Sequence, residues 1–332
     1  MAQHNLQVLL ARRPNGEPTA DDFALREAPV PQPRPGEVLL RHSFLSLDPY
    51  MRGRMSDAKS YAKPVEVGAV MEGQCVGTVE RSEHPGFSQG DQVVGGYGWQ
   101  QWSAVPGERL GKLPAGLDQP SLALGVLGMP GLTAYVGMED IGQPKPGETV
   151  VVSAATGAVG GVVGQLATLA GARAVGIAGG AEKCRFAEGE LGYAACIDHR
   201  AGDLAAALDQ ACPEGVDIYF ENVGGDVQRA VFPRLADFGR MIMCGMVAEY
   251  NATERRPGPN LMDCVRKRLR IQGFIVSDQW SRIGEWQAKA LPLLREGKLR
   301  YREDVVQGLD NAPAAFIGLL RGENFGKLVV AV

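Results

Sequence analysis

Thr149-Val150-Val151-Val152-Ser153-Ala154-Ala155-Thr156-Gly157-Ala158-Val159-Gly160 is the stretch whose reading decides the fold. A β-branched run enters a turn of small residues, and a helical pattern follows over 159–169. The two glycines have distinct tasks. Gly157 lets the backbone approach a pyrophosphate, and Gly160 lets the helix pack tightly on the strand. The helix start leaves N–H groups without intrahelical partners and a partial positive charge, which together attract an anion. Ala155 stands where the first glycine of a G-x-G-x-x-G fingerprint would be, so the flanking strand and helix carry much of the inference. Thr156, Gly157, Ala158, Val159 and Gly160 are therefore candidates for holding a dinucleotide.

Toward the C-terminus, short apolar runs at 174–178, 195–197, 216–221, 240–244 and 269–276 alternate with helix-length segments at 182–191, 201–211 and 228–235. Repeated strand–helix units with short loops predict a doubly wound parallel sheet. Toward the N-terminus the pattern changes. Strand candidates at 38–41, 73–79, 91–95 and 102–105 are separated by Pro35-Gly36, Pro85-Gly86, Gly90-Asp91 and Pro106-Gly107. Such turn punctuation suits an irregular β-barrel. After 280–296 comes a tail with a helix-like segment at 312–320 and a final apolar strand at 326–332. That last strand needs a sheet to join, and the first domain is expected to supply it. The expected organisation is α/β: residues 1–125 joined by 297–332 in a β-barrel domain, and 126–296 in a Rossmann domain. The 332 residues are enough for about two domains.

The end of the second Rossmann strand bears on which dinucleotide is bound. An NAD-binding chain usually carries an acidic residue there, about 20 residues beyond the glycines, to bind the ribose hydroxyls. Here the strand ends Gly176-Ile177-Ala178-Gly179-Gly180 with no carboxylate, and Lys183 follows within a turn. A lysine attracts a 2′-phosphate as a point charge. NADP(H) is favoured, with Gly179 and Lys183 beside the phosphate and Glu182 weakening the field slightly.

Other features exclude partners. Net charge is −4, and the densest basic run, Arg266, Lys267, Arg268 and Arg270, sits among apolar residues and reads as a solvated helix face. Neither nucleic acid nor a membrane surface is an expected partner. No apolar run is long enough to span a bilayer, and His4, Asn5 and Gln7 interrupt any signal core, so the expected compartment is the cytoplasm. Six cysteines (Cys75, Cys184, Cys196, Cys212, Cys244, Cys264) form no C-x-x-C pair, and none of His4, His42, His84 and His199 has a cysteine at ligand spacing. An open catalytic zinc site needs about three protein ligands, so no metal is expected.

Longer stretches are more specific. They are Ser46-Leu47-Asp48-Pro49-Tyr50-Met51-Arg52-Gly53-Arg54-Met55, Gly128-Met129-Pro130-Gly131-Leu132-Thr133-Ala134-Tyr135, Glu221-Asn222-Val223-Gly224-Gly225, Cys244-Gly245-Met246-Val247-Ala248-Glu249-Tyr250-Asn251, Gly273-Phe274-Ile275-Val276 and Gly322-Glu323-Asn324-Phe325-Gly326-Lys327. With the 154–164 turn, these make the whole chain resemble the zinc-independent medium-chain dehydrogenase/reductases. The branch is that of prostaglandin reductases, plant double-bond reductases and bacterial curcumin reductases. Zinc-dependent relatives carry a cysteine near 46–48 and a Gly-His-Glu motif near 68–73; here stand Ser46 and Met71-Glu72.

The resemblance implies a GroES-like β-barrel catalytic domain beside the Rossmann domain. It implies NADPH-dependent reduction of the carbon–carbon double bond of α,β-unsaturated ketones and aldehydes. By position, Asn222 would lie near the ribose. Cys244, Gly245, Met246, Phe274, Ile275 and Val276 would line the nicotinamide side, bordered by Met129, Pro130 and Thr133. Asn324 would also touch the cofactor, and Tyr50 and Arg52 would face the substrate. The chain departs from the pattern at Asp198-His199, where many eukaryotic members have Asn-Tyr, and at Gly180, which replaces a common serine. His199 would take the tyrosine's place beside the adenosine.

Hydride addition to the β-carbon of an enone leaves negative charge on the carbonyl oxygen, which needs a hydrogen-bond donor and finally a proton at the α-carbon. Tyr250 matches the tyrosine proposed for that task in the family, and a phenol, ionising near pH 10, is a donor at neutral pH. Arg52 and Arg54 either bind an anionic substrate group or pair with carboxylates. Tyr97, Trp99 and Trp102 either join Tyr50 in an aromatic wall or pack in the core. Two other readings stand beside the enone reductase: an NADPH:quinone oxidoreductase, and a non-catalytic NADPH-binding sensor protein. The 269–276 strand ends the Rossmann sheet, and an exposed edge invites a symmetry mate, so a homodimer is expected.

Overall fold

The computed structural model describes residues 4–332 apart from 115, 255 and the side chain of Tyr97. In chain order its strands are β1 (His4–Leu10), β2 (Phe23–Pro29), β3 (Glu37–Ser46), β4 (Gln74–Ser82), β5 (Gln92–Tyr97), β6 (Trp102–Pro106), β7 (Gly111–Lys112), β8 (Thr149–Ser153), β9 (Arg173–Ala178), β10 (Ala195–Asp198), β11 (Val216–Glu221), β12 (Leu235–Met243), β13 (Arg270–Gly273), β14 (Glu303–Gln307) and β15 (Lys327–Ala331). The α-helices are α1 (Met51–Arg54), α2 (Met129–Val136), α3 (Gly160–Leu169), α4 (Ala181–Gly189), α5 (Leu204–Ala211), α6 (Gly225–Val231), α7 (Met262–Lys267), α8 (Ile283–Arg295) and α9 (Ala312–Leu320).

The chain divides into two compact units. The first takes Met1–Gly125, Glu303–Asn324 and Leu328–Val332; the second takes Val126–Arg302 and Phe325–Lys327. In the first unit the sheet runs β14-β15-β3-β4-β5-β7, with β6 also on β3, and a separate hairpin pairs β1 with β2. The closing strand lies antiparallel to β3, with Val329 opposite Ser46 and Ala331 opposite Phe44. Beneath it Val8, Leu45, Leu47, Met51, Trp99, Phe316 and Val330 form one apolar cluster. Trp99 stacks on Phe23 at 5.7 Å and meets the Phe316 ring edge-on at 5.6 Å. It is a core residue, and Trp102 is buried as well. Tyr97's side chain lies outside the described residues.

The second unit is a six-stranded sheet of order β10-β9-β8-β11-β12-β13, parallel at every pairing. This is the doubly wound order, in which the connections reverse between the first and fourth strands and a crevice opens at the strands' C-terminal ends. Val150, Val151 and Val152 are wholly buried on both faces, as central parallel strands require.

Several element boundaries differ from expectation for local reasons. The segment expected to be helical from 201 starts at Leu204, because the Asp203 carboxylate accepts the N–H groups of Ala205 (2.9 Å) and Ala206 (3.2 Å) and so caps it. The 269–276 strand shortens to Arg270–Gly273: Gly273 faces Met243, the last residue of β12, and beyond it no ladder remains. The 228–235 helix instead starts at Gly225 and tightens into a 3-10 turn at Phe232-Pro233-Arg234. Strand β3 runs far past 38–41, through Arg41, His42 and Ser43, which break the apolar run but not the ladder.

His42 is almost fully buried, with Nε2 2.7 Å from the Ser103 hydroxyl. Burial is the main reason its imidazole is pushed down from 6.5 to about 4. Between those two values the unfolded chain holds the extra proton, so acidification favours unfolding. Stability is expected to fall by roughly 3 kcal/mol from this residue alone as pH drops through that window, with no contribution above it. Urea unfolding at neutral and acidic pH should show a steeper loss for the native chain than for His42→Gln; equal slopes would remove His42 as the cause.

Candidate functional site

The turn after β8 is built by close approach. Ala154 adopts a positive φ of 51°, and its carbonyl accepts the Gly157 N–H at 2.9 Å. A side-chain carbon at Gly160 would lie 2.2 Å from that same carbonyl oxygen. No residue but glycine lets α3 begin so near the strand. The Tyr193 hydroxyl donates to the Gly160 carbonyl at 2.7 Å and fixes the helix start from the far side. Among the described residues, the N–H groups of Ala158 and Val159 donate to nothing within the chain. They are open donors at the start of a ten-residue helix, the arrangement that fits a pyrophosphate.

Beside this turn lies a buried polar knot joining the ends of β8 and β11. The fully buried Glu221 accepts at Oε1 from the Ser153 hydroxyl (3.0 Å) and from the N–H groups of Val223 (2.7 Å) and Gly224 (3.0 Å). Ser153 Oγ in turn accepts the Asn222 N–H at 2.8 Å, and the Asn222 amide donates to the Ser153 carbonyl at 2.8 Å. The Glu221 carbonyl receives the N–H groups of both Cys244 and Gly245 at 3.0 Å, and Val247 donates to the Asn222 carbonyl at 3.1 Å. Asn222 and the 244–247 segment are thereby laid side by side. A side-chain carbon at Gly245 would lie 3.0 Å from the Tyr250 hydroxyl, so that phenol rests on the Gly245 backbone. Burial, and then the Glu221 charge, pushes the Cys244 thiol up to about 12, so it is no nucleophile at neutral pH. Neither Ser153 nor Glu221 stood out in the sequence. Ser153 reads as the end of an apolar strand, and Glu221 as the last residue of the 216–221 run and the first of the Glu221–Gly225 motif, with no role of its own.

The residues expected beside the adenosine cluster at the ends of β9 and β10. Gly179 and Gly180 turn the chain into α4, whose first turn carries Lys183, its ammonium 6.0 Å from the Phe325 ring centroid. The Asp198 carboxylate accepts the N–H groups of Gly180 (2.8 Å) and Arg200 (3.0 Å), which hold its ionisation below the ordinary carboxylate range. His199 follows directly, its imidazole lowered first by burial and then by Arg200. Elsewhere in the unit, Met129, Pro130 and Thr133 form the start of α2, with Thr133 Oγ1 donating to the Met129 carbonyl at 2.8 Å. Half-buried Phe274, Ile275 and Val276 follow β13.

Tyr50, Arg52 and Asn324 belong to the first unit. Arg52 is buried, and its guanidinium donates to the Gly16 carbonyl at 2.7 Å. Arg54 lies 5.3 Å from the Tyr50 ring centroid and 4.7 Å from that of Tyr61, and pairs with Glu72 at 2.6 Å. Both arginines thus have protein partners. Asn324 is half-buried beyond α9. Among the described residues, no group of three or more His, Cys, Asp or Glu side chains is placed to hold a metal ion.

Against this geometry stand the similarities to known proteins. A family profile described as the N-terminal domain of oxidoreductase matches residues 6–113, and one described as zinc-binding dehydrogenase matches 158–296. The chain is 52% identical to an NADPH-dependent curcumin reductase of Escherichia coli, over 99% of this chain and 97% of that one. It is 43% identical to prostaglandin reductase 1 of Bos taurus, over 95% of each. A crystal structure of CurA from Vibrio vulnificus in complex with NADPH superposes with a TM-score of 0.94 at 53% identity, covering 98% of this chain and 99% of that one.

The polar knot can be tested on stability alone. Removing the Ser153 hydroxyl leaves Glu221 and the Asn222 N–H short of a buried partner, which costs about 1–3 kcal/mol. Ser153→Ala is expected to lower the urea midpoint accordingly with an unchanged denaturant slope; a native-like midpoint would mean the knot contributes nothing.

Proposed function

The chain belongs to the zinc-independent medium-chain dehydrogenase/reductases, in the branch of prostaglandin and double-bond reductases, and on that premise we propose that it reduces the carbon–carbon double bond of α,β-unsaturated ketones and aldehydes with NADPH. The observation that carries the reading is the Tyr250 hydroxyl resting on Gly245, within the segment that the Glu221 carbonyl ties beside Asn222. The names of the relatives, a curcumin reductase and a prostaglandin reductase, support the same chemistry.

NADPH, when bound, supplies the hydride that adds to the β-carbon. The chain does the rest. The 156–160 backbone holds the pyrophosphate, with Gly179, Lys183 and His199 toward the adenosine and Asn222 at the ribose. Cys244, Gly245, Met246, Met129, Pro130, Thr133, Phe274, Ile275, Val276 and Asn324 enclose the nicotinamide end. Tyr250 donates a hydrogen bond to the carbonyl oxygen as charge develops there, and a proton delivered to the α-carbon completes the reduction. Tyr50 contributes to the substrate wall. Arg52, tied to Gly16, supports the segment that carries Tyr50.

The assembly we infer is a homodimer. Every residue of β13 is exposed, and around that edge Leu261, Met262, Val265, Ile271 and Trp280 are exposed apolar side chains. An open parallel edge beside an apolar patch favours a second copy. Light scattering should give about twice 35.4 kDa; a monomer at micromolar concentration would end this reading. The cytoplasm is the proposed location, supported by six free cysteines and by the finding that no helix of the described residues is long and apolar enough to cross a membrane. Cell fractionation checks it.

The decisive experiment follows NADPH oxidation against an alkenal, an alkenone, a diarylheptanoid dienone, a 15-keto-prostaglandin and a quinone, with NADH as control. Turnover of enones with NADPH preferred is the expected result. Turnover of quinone alone would make the protein a quinone reductase, and tight NADPH binding without turnover would make it a binding protein. Tyr250→Phe should lose about tenfold or more in turnover while keeping its NADPH affinity; unchanged turnover would remove Tyr250 from the mechanism.

A further inference from the structure

In a doubly wound nucleotide-binding sheet, the adenosine ribose sits at the end of the second strand, and what stands there decides between a free 2′-hydroxyl and a 2′-phosphate. In this chain that strand is β9, which ends at Ala178 and is followed by Gly179-Gly180. Two side chains from the neighbouring strand end lean on that turn. A side-chain carbon at Gly179 would lie 2.9 Å from Arg200 Nε, 3.0 Å from its Cζ and 3.0 Å from His199 Nε2. The guanidinium and the imidazole therefore lie against the α-carbon at the strand tip.

The loop that presents them is fixed from below. Asp198 Oδ1 accepts the N–H groups of both Gly180 and Arg200, so one carboxylate clasps the two strand ends together through backbone atoms. That oxygen is engaged by main chain, and among the described residues no carboxylate forms an ion pair with the Arg200 side chain. Lys183, in the first turn of the helix that follows Gly180, acts electrostatically on His199, as Arg200 does. Two cations and an imidazole thus converge where an NAD-specific chain would carry its carboxylate. A guanidinium presents a planar fork of donors that matches phosphate oxygens in pairs, which an ammonium cannot do.

We propose that Arg200, lying against Gly179 and presented by the Asp198 clasp, is the residue that recognises the 2′-phosphate of the cofactor, with Lys183 and His199 completing the pocket. The inference rests on the NADPH reading given above and adds a specificity-determining residue to it. Substitutions at Arg200 other than proline keep the backbone N–H that Asp198 holds, so the clasp is retained and the side chain is tested by itself.

Binding of two cofactor fragments, followed by calorimetry, separates the possibilities without any turnover. Adenosine 2′,5′-bisphosphate carries the 2′-phosphate, and adenosine 5′-monophosphate lacks it. The expected result for Arg200→Ala is a loss of about tenfold or more in affinity for the bisphosphate with little change for the monophosphate. Arg200→Lys should recover part of that loss. Arg185→Ala removes the same charge from an exposed position on α4 and should leave both fragments bound as before. Wild-type affinity for the bisphosphate in Arg200→Ala, or an equal loss for both fragments, would overturn the assignment. So would an equal loss in Arg185→Ala, which would make the effect one of overall charge. A native chain that does not distinguish the two fragments would instead bring down the NADPH reading, and this inference with it.

Discussion

The nucleotide-binding unit depends on a contact with no room in it: the start of α3 against the Ala154 carbonyl, where even a methyl group at Gly160 would collide. The left-handed backbone of Ala154, the tight Gly157 turn and the open N–H groups of Ala158 and Val159 all follow from bringing a helix that near the end of a strand. A helix start held there directs its partial positive charge at one point in the crevice rather than at bulk solvent. Were the helix an ångström further out, the strand order would remain and the anion site would weaken.

The second constraint is electrostatic. Glu221 is a carboxylate with no exposed surface, and burying a charge is costly unless it is hydrogen-bonded. Ser153 and the Val223 and Gly224 N–H groups offset that cost at one oxygen, while Oε2 has no hydrogen-bond partner among the described residues. The same residue uses its carbonyl to hold Cys244 and Gly245. One position therefore organises both the loop that carries Asn222 and the loop that leads to Tyr250. This fits the use of buried polar groups to specify one arrangement of a site.

How much of this was legible in the sequence depended on the range of the interaction. The Val150–Val152 run, the Gly157 and Gly160 turn and the missing acid after β9 are local patterns, and each appears in the structure where it was read. Less local features escaped. The Asp203 cap overrode an alanine-rich helical pattern one turn earlier. Trp99 looked equally fit for a substrate wall, because burial against Phe23 and Phe316 depends on residues far away in the chain. For Arg52 the sequence offers an anionic substrate group or a carboxylate partner, but not the main-chain carbonyl of Gly16, which no side-chain pattern announces. The Glu221 knot was invisible for the same reason, since most of its donor and acceptor atoms are backbone.

The pairing of β15 with β3 has a consequence for how the chain is made. The Phe44–Ser46 end of β3 lies between β4 and a strand nearly 300 residues later in the sequence, while its Glu37–Arg41 part pairs with β6. A nascent chain leaving the ribosome can complete the parallel sheet of β8 to β13 while one side of β3 still lacks its final neighbour. Domains fold as units during synthesis, and here the parallel sheet of the nucleotide-binding unit has all its strands by Gly273, before the barrel that precedes it has its own. The barrel waits for Lys327–Ala331 to be made, and until then the Phe44–Ser46 end of β3 presents the kind of unpaired edge that attracts other chains.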